Sequence, residues 1–190
     1  MIDRELLARK FEVALPYEAY VATAKPEHAE NWRRFEARAG LTEAQRALVA
    51  SFTRGVNCLG VSGTWCGDCV QQLPFLKHME DANPSVVRVR FLDRDEHRDL
   101  ADLLYMGDGM RVPVVIMMNE EFDFVTAVGD RTLSRYRALA ARQLGGACPL
   151  PGAPLDEDEI AATRQDWVDH IERVHLMCRL STKLRQKHGD

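Results

Sequence analysis

The sequence predicts an α/β fold: a mixed central sheet flanked by helices, with extra helices at the N- and C-termini. Three observations carry this. Between residues 54 and 146, short apolar runs of strand character alternate with stretches of helical periodicity. Before that segment the pattern is helical, with no strand-like run. After it, a stretch without Gly or Pro extends from Leu155 to His188.

Residues 1–53 read as an N-terminal helical extension. Pro16, Pro26 and Gly40 separate short amphipathic pieces that carry Phe11, Tyr17, Tyr20, Trp32 and Phe35. In "LTEAQRALVASF", Leu41, Ala44, Leu48 and Phe52 form an apolar stripe, and Thr42 and Gln45 have capping-box spacing. The central part opens with the strand-like "GVNCLGVSG", followed by a helical "CVQQLPFLKHMEDA" that stops at Asn83-Pro84. Next come the valine-rich strand "SVVRVRFLD", a helical "EHRDLADLLYM", the loop "GDG" and the strand "VPVVIMM". A hairpin turning near Asn119-Glu120 leads into "EFDFVTAV"; Gly129 breaks the pattern, and "TLSRYRALAARQL" is a helix stopped by Gly145-Gly146. The order strand, helix, strand, helix, strand, strand, helix requires both parallel and antiparallel pairing. Residues 147–190 are a linker, "ACPLPGAP", and one long helix, which packs on or beside the core. Its apolar face carries Ile160, Trp167, Ile171, Val174 and Cys178, with acids at 156–159 and bases near its end to suit the helix dipole.

Composition narrows the function classes. A chain of 190 residues, 46% apolar and 28% charged, is long enough for one well-cored domain with additions. A net charge of -4 argues against nucleic acid, which needs a basic surface. No stretch approaches the roughly 18 apolar residues of a membrane span. The start, "MIDRELLARKFEVALPYEAY", lacks the unbroken apolar run of a secretory signal, so a cytoplasmic location with reduced thiols is expected. Five scattered cysteines do not make a disulfide framework.

The chemistry lies in "GTWCGDC". Cys66 and Cys69 stand two residues apart where a strand passes into a helix. The first sulfur then meets unsatisfied backbone N–H groups and the positive end of the helix dipole, which favour its thiolate. The second is close enough to close a disulfide. That division suits thiol–disulfide exchange, with Cys66 attacking and Cys69 resolving. The same pair could instead serve a structural zinc site, which needs four Cys or His ligands; there is no second C-x-x-C, and His78 and His97 lie on unrelated elements. Cys58 and Cys178 read as packed small hydrophobes, and Cys148 as a passive loop residue or a regulatory thiol. The arginines at 131, 135, 137 and 142 read as a solvated helix face.

At these residues the sequence resembles the thioredoxin family. "WCGDC" matches that family's W-C-G-P-C except at its fourth position; Pro74 stands where the family has a helix-kinking proline, "VPVV" at 112–115 resembles its cis-proline strand, and Gly129 matches a glycine after its last strand. The resemblance implies a thioredoxin-like fold. It also implies a redox-active Cys66/Cys69 couple that reduces protein disulfides without a bound cofactor, its electrons supplied by a thiol-reducing donor. Trp65 would flank the active sulfur beside Gly67, and a cis Val112-Pro113 peptide would pack beside the cysteines. The alternative is a non-catalytic module of the same fold for protein binding or redox sensing. The terminal helices would either narrow substrate choice or provide a homodimer or partner surface.

Two departures stand out. The family's buried acid would fall at Gly60, and its nearby lysine has no secure counterpart, although Arg88 and Arg90 lie in the corresponding strand. Asp68 replaces the proline between the cysteines and puts a carboxylate against the Cys66 thiolate. Two unit charges about 4 Å apart interact by ~1 kcal/mol in water and ~4 kcal/mol at an effective dielectric near 20. At an exposed site this raises the Cys66 pKa by about one unit at most. Alternatively, Asp68 is a simple helix-start acid.

Overall fold

The structure, a computed structural model, describes residues 2–107, 109–144 and 157–189. The central strand β1 (Val56–Ser62) is buried at every position. It pairs in parallel with β2 (Val87–Asp93) and antiparallel with β3 (Val114–Asn119), which pairs antiparallel with β4 (Phe124–Gly129). The strand order is β2-β1-β3-β4. Burial on both faces explains why β1 and β3 read as unbroken apolar runs rather than alternating ones.

Four helices precede the sheet: α1 (Arg4–Val13), α2 (Tyr17–Ala22), α3 (Pro26–Glu36) and α4 (Glu43–Ala50). Asp3 caps α1 by accepting from the Leu6 N–H at 2.9 Å. The capping box on α4 is complete, with Gln45 N–H on the Thr42 hydroxyl at 3.2 Å and Thr42 N–H on the Gln45 side chain at 3.0 Å. The stripe on α4 is rotated from its expected position. Leu41 and Phe52 are buried and Leu48 half-buried, but Ala44 is exposed and Val49 takes its place. The helix ends at Ala50, so Phe52 reaches the core from beyond it.

The helix expected over residues 69–82 is two helices, α5 (Gly67–Val70) and α6 (Leu73–Ala82). Pro74, in the first turn of α6, lacks the N–H that would continue the ladder back to Val70. Past β2, α7 (Arg98–Ala101) is a single turn, shorter than expected. The bonds that follow it, Leu103 N–H to Leu100 and Leu104 N–H to Ala101, are too tight to propagate an α-helix. After β4 comes α8 (Leu133–Leu144). The single long helix expected at the end is likewise two, α9 (Glu157–Arg179) and α10 (Thr182–His188). Ser181 interrupts it by capping α10, its hydroxyl accepting from the Leu184 N–H at 3.4 Å. Gly145-Gly146, the 147–154 linker, Cys148 and Asp156 lie outside the described residues.

The extensions share one core with the sheet. Trp32 of α3 and Trp167 of α9 are among its largest fully buried side chains. The whole predicted stripe of α9 is buried, and the helix packs on β1, β3, α4 and α6. Leu15 exchanges two backbone bonds with Phe91, covering part of the outer edge of β2. No described helix is long and apolar enough to cross a membrane.

Candidate active site

Cys66 follows the turn out of β1 and serves as the N-cap residue of α5. Neither Cys66 nor Cys69 is in a disulfide, and their environments differ. The Cys66 pKa is lowered from 9.0 to about 7. The chief cause is hydrogen bonding from the Cys69 thiol; burial opposes it, the Cys69 N–H assists, the Asp68 carboxylate opposes and the Asp68 N–H assists. Cys69 is fully buried, and burial drives its thiol upward. Beside them the Val112-Pro113 peptide is cis, and the Cys66 thiol donates to the Val112 carbonyl at 3.6 Å. Gly129 lies against this segment so closely that a Cβ there would run into the Pro113 carbonyl.

Trp65 is half exposed, with the Arg94 guanidinium 5.1 Å from its ring and the Gly63 backbone against its indole. A Cβ on Gly67 would meet nothing within 4 Å, so the backbone there faces open space.

Asp68 is bound by two arginines from the far end of the domain. Arg131 donates to both its oxygens, at 3.1 and 2.6 Å, and Arg135 to one at 2.9 Å. Arg135 also holds Glu159 of α9 at 2.6 Å and the Gln71 side chain at 2.8 Å, and Arg142 joins Glu159 at 2.5 Å. The reading of these arginines as a solvated face is therefore wrong for three of the four. Arg135 is buried and Arg131 and Arg142 are engaged; only Arg137 is exposed. No local spacing marks this network: Arg131 lies in the turn before α8 (Leu133–Leu144), and only the fold brings it and Arg135 onto the same carboxylate.

Gln72 was missed and carries no local sign. Fully buried, it accepts from the Thr132 N–H at 3.1 Å and donates to the Asp130 carbonyl at 2.9 Å, tying the α5–α6 junction to the turn after β4. Asp130, nearby, takes hydrogen bonds from Tyr136, Arg131 and Arg111. At Gly60 there is no room for the family's acid: even a Cβ would come 2.8 Å from the Phe91 ring. The Ser62 and Tyr20 hydroxyls lie in the surroundings of Cys69. Both are buried with no well-formed hydrogen bond of their own, and Ser62 is near enough to oppose the upward shift of both Cys69 and Tyr20.

The remaining candidates lie elsewhere. Cys58 and Cys178 are buried and burial pushes both thiols up. His78 faces Glu36, and His97 lies beside Lys10. Among the described residues no three His, Cys, Asp or Glu side chains converge on one point.

Titration of the thiolate absorbance should give Cys66 an apparent pKa of about 7. Asp68→Asn should lower it, because the opposing carboxylate is lost while Arg131 and Arg135 are each left short of one anion. An unchanged or higher value in the variant would dispose of the electrostatic role of Asp68.

The chain is similar in fold to solved structures and in sequence to one family model. A crystal structure of a protein of unknown function from Pseudomonas aeruginosa superposes with a TM-score of 0.68 at 20% identity, covering 88% of this chain and 97% of that one. A crystal structure of an HIV epitope-scaffold gives 0.63 at 19% identity, covering 84% and 96%. Likenesses this distant speak to the fold alone. No curated protein matches the chain. A family model described as thioredoxin matches residues 14–138, taking in α2 to α4 as well as the sheet and most of the C-x-x-C neighbourhood's supports. The chain belongs to the thioredoxin family.

Proposed function

We propose that the protein is a cytoplasmic thiol–disulfide oxidoreductase that reduces protein disulfides through the Cys66/Cys69 couple. The observation that carries this is the asymmetry of the two thiols, one lowered to about 7 and the other more deeply buried and driven up. A nucleophile with a pKa near ambient pH combines thiolate population with reactivity, and a buried partner is protected until it is needed.

The Cys66 thiolate attacks one sulfur of the substrate disulfide. A Cys66–substrate bond forms, the substrate S–S bond breaks, and the departing thiolate takes a proton. Cys69 then gives up its proton and attacks the Cys66 sulfur, releasing the second substrate thiol and leaving a Cys66–Cys69 disulfide. Two electrons pass from the protein to the substrate, and an external dithiol restores the couple. The Val112 carbonyl, 3.6 Å from the Cys66 sulfur, marks the side on which a substrate backbone would lie. With no carboxylate at Gly60, the Ser62 hydroxyl and the Gly63 backbone are polar groups that favour the charged form of Cys69 as it loses its proton.

An insulin-disulfide reduction assay with dithiothreitol tests the reading. The wild type should accelerate turbidity and Cys66→Ser should abolish the acceleration, while Cys69→Ser should accumulate mixed disulfides with its substrates. A second reading, a redox sensor without turnover, is favoured by one fact: Cys66 is only 9% exposed. It predicts formation of the Cys66–Cys69 disulfide under oxidant with no acceleration of insulin reduction.

A further inference from the structure

Cys69 must lose a proton before it can resolve a mixed disulfide, yet it is fully buried and burial drives its thiol upward. A thiol in such a place needs polar groups that lead its proton out to solvent. Two hydroxyls lie in the same region. Ser62 ends β1 at 0% exposed, and Tyr20 on α2 is 1% exposed. Among the described residues neither hydroxyl has a well-formed hydrogen-bond partner. An unpaired polar group in a core costs stability, so two of them around one buried thiol call for a role other than holding the fold.

Their surroundings follow one sequence from the thiol outward. The Ser62 hydroxyl is near enough to favour the charged form of both Cys69 and Tyr20. The Ser62 carbonyl is already engaged by the Arg94 N–H at 2.8 Å, so the hydroxyl is the group left to act. The Tyr20 ring stacks on Phe91 with centroids 5.5 Å apart and meets Trp32 edge-on at 5.8 Å, which holds it in place. Tyr20 in turn lines a cleft of about 330 Å³ together with Thr64, Asp93, Glu96 and His97. Asp93 is the partner of Ser62 across the β1–β2 pairing, and its charge is felt at Tyr20. The titratable groups facing this region are thus Cys66, Asp93, Glu96 and His97. The other charges around the motif are matched, Asp68 by Arg131 and Arg135 and Arg94 by Asp95.

We propose that the Ser62 and Tyr20 hydroxyls carry the Cys69 proton to the Asp93-lined cleft when Cys69 resolves the mixed disulfide. This path rests on the redox reading of Cys66 and Cys69 and assigns residues to its proton transfer. The Cys69 S–H bond breaks, and its proton passes to the Ser62 oxygen as the Ser62 proton passes to the Tyr20 oxygen. The Tyr20 proton goes to solvent in the cleft, where the Asp93 carboxylate favours it. The electron pair left on Cys69 forms the bond to the Cys66 sulfur. The Cys66–substrate bond breaks with its pair on the substrate sulfur, which takes a proton from solvent. One proton leaves the protein, one is taken up by the product, and the hydroxyls end as they began.

Reduced full-length protein carrying Cys148→Ser, mixed with dithiobis(nitrobenzoate) in a stopped-flow instrument, separates the two chemical steps. The first release of chromophore reports attack by Cys66 and the second reports resolution by Cys69. Cys69→Ser, which retains the bound chromophore, sets the baseline. Ser62→Ala should slow the second release about tenfold at neutral pH, through loss of a hydrogen bond to a charged group, and move its pH midpoint up by about one unit. Tyr20→Phe should slow it about threefold, as the second member of the same network. Both should leave the first release unchanged. Each removes an unpaired buried hydroxyl, so neither should lower the melting temperature. A second release that keeps its rate and pH midpoint in either variant would overturn the path and leave the redox reading standing. Equal slowing of both releases, or slowing with a matching loss of melting temperature, would mark a structural role and overturn the path as well. A wild type without the second release would overturn the Cys66/Cys69 couple and the path with it.

Discussion

Replacing Arg135 with alanine is expected to lower stability by about 3 kcal/mol, toward the low end of what loss of one partner costs in a buried ion pair. The side chain of Arg135 is 7% exposed and that of Glu159 4%, and their N···O distance is 2.6 Å. Removal of the guanidinium leaves a buried carboxylate with less compensation. The loss stays toward the low end because Arg142 remains on Glu159 at 2.5 Å. The same variant strips Asp68 of one of its two cations, leaving only Arg131. The carboxylate beside Cys66 then acts with less opposition, so the thiol should rise above about 7, the opposite direction from Asp68→Asn. Urea unfolding measures the first effect and thiolate absorbance the second. A stability change under about 1 kcal/mol with an unmoved thiol would show that the network neither holds α9 nor tunes the site. A double-mutant cycle with Glu159→Gln isolates the pairwise part, since residues in one network do not add.

Trp32→Ala should cost about 3–5 kcal/mol, the range for truncating a large buried aromatic. Trp32 is fully buried and meets the rings of Tyr17 and Tyr20 edge-on, at 5.9 and 5.8 Å. Its indole N–H also satisfies the Thr64 carbonyl. Trp32→Phe retains most of the apolar contact but removes that donor, so the expected cost falls to about 1–3 kcal/mol, that of an unsatisfied buried group. Because Thr64 precedes Cys66 by two residues, both variants should also slow disulfide reduction, and Trp32→Phe should do so with the smaller loss of stability. Thermal melts and insulin-reduction rates on the same samples check the pair. If Trp32→Phe matched the wild type in both, α3 would not be coupled to the site through that bond.

Much of the architecture is legible in local pattern. β1 and β3 appear as apolar runs because helices cover both faces of the sheet. The Thr42/Gln45 box and the proline at the start of α3 mark helix starts through contacts within one turn. The cysteine pair and its placement at a strand–helix junction were equally visible, since both depend on neighbours in the chain.

What escaped the sequence depends on groups far apart along it. Arg135 looked like a surface base on an amphipathic helix, yet it is buried because Asp68, 67 residues away, and Glu159, 24 residues away, converge on it. Gln72 sits in an apolar stretch with nothing nearby to name its partners across the α5–α6 junction, at Asp130 and Thr132. Leu180-Ser181 carries no Gly or Pro to announce a break, and α10 exists as a separate helix through one side-chain cap. Propensity and periodicity act over a few residues and specify which segments become helix or strand. Charge neutralisation and burial of polar groups arise only when packing brings distant segments within hydrogen-bond range.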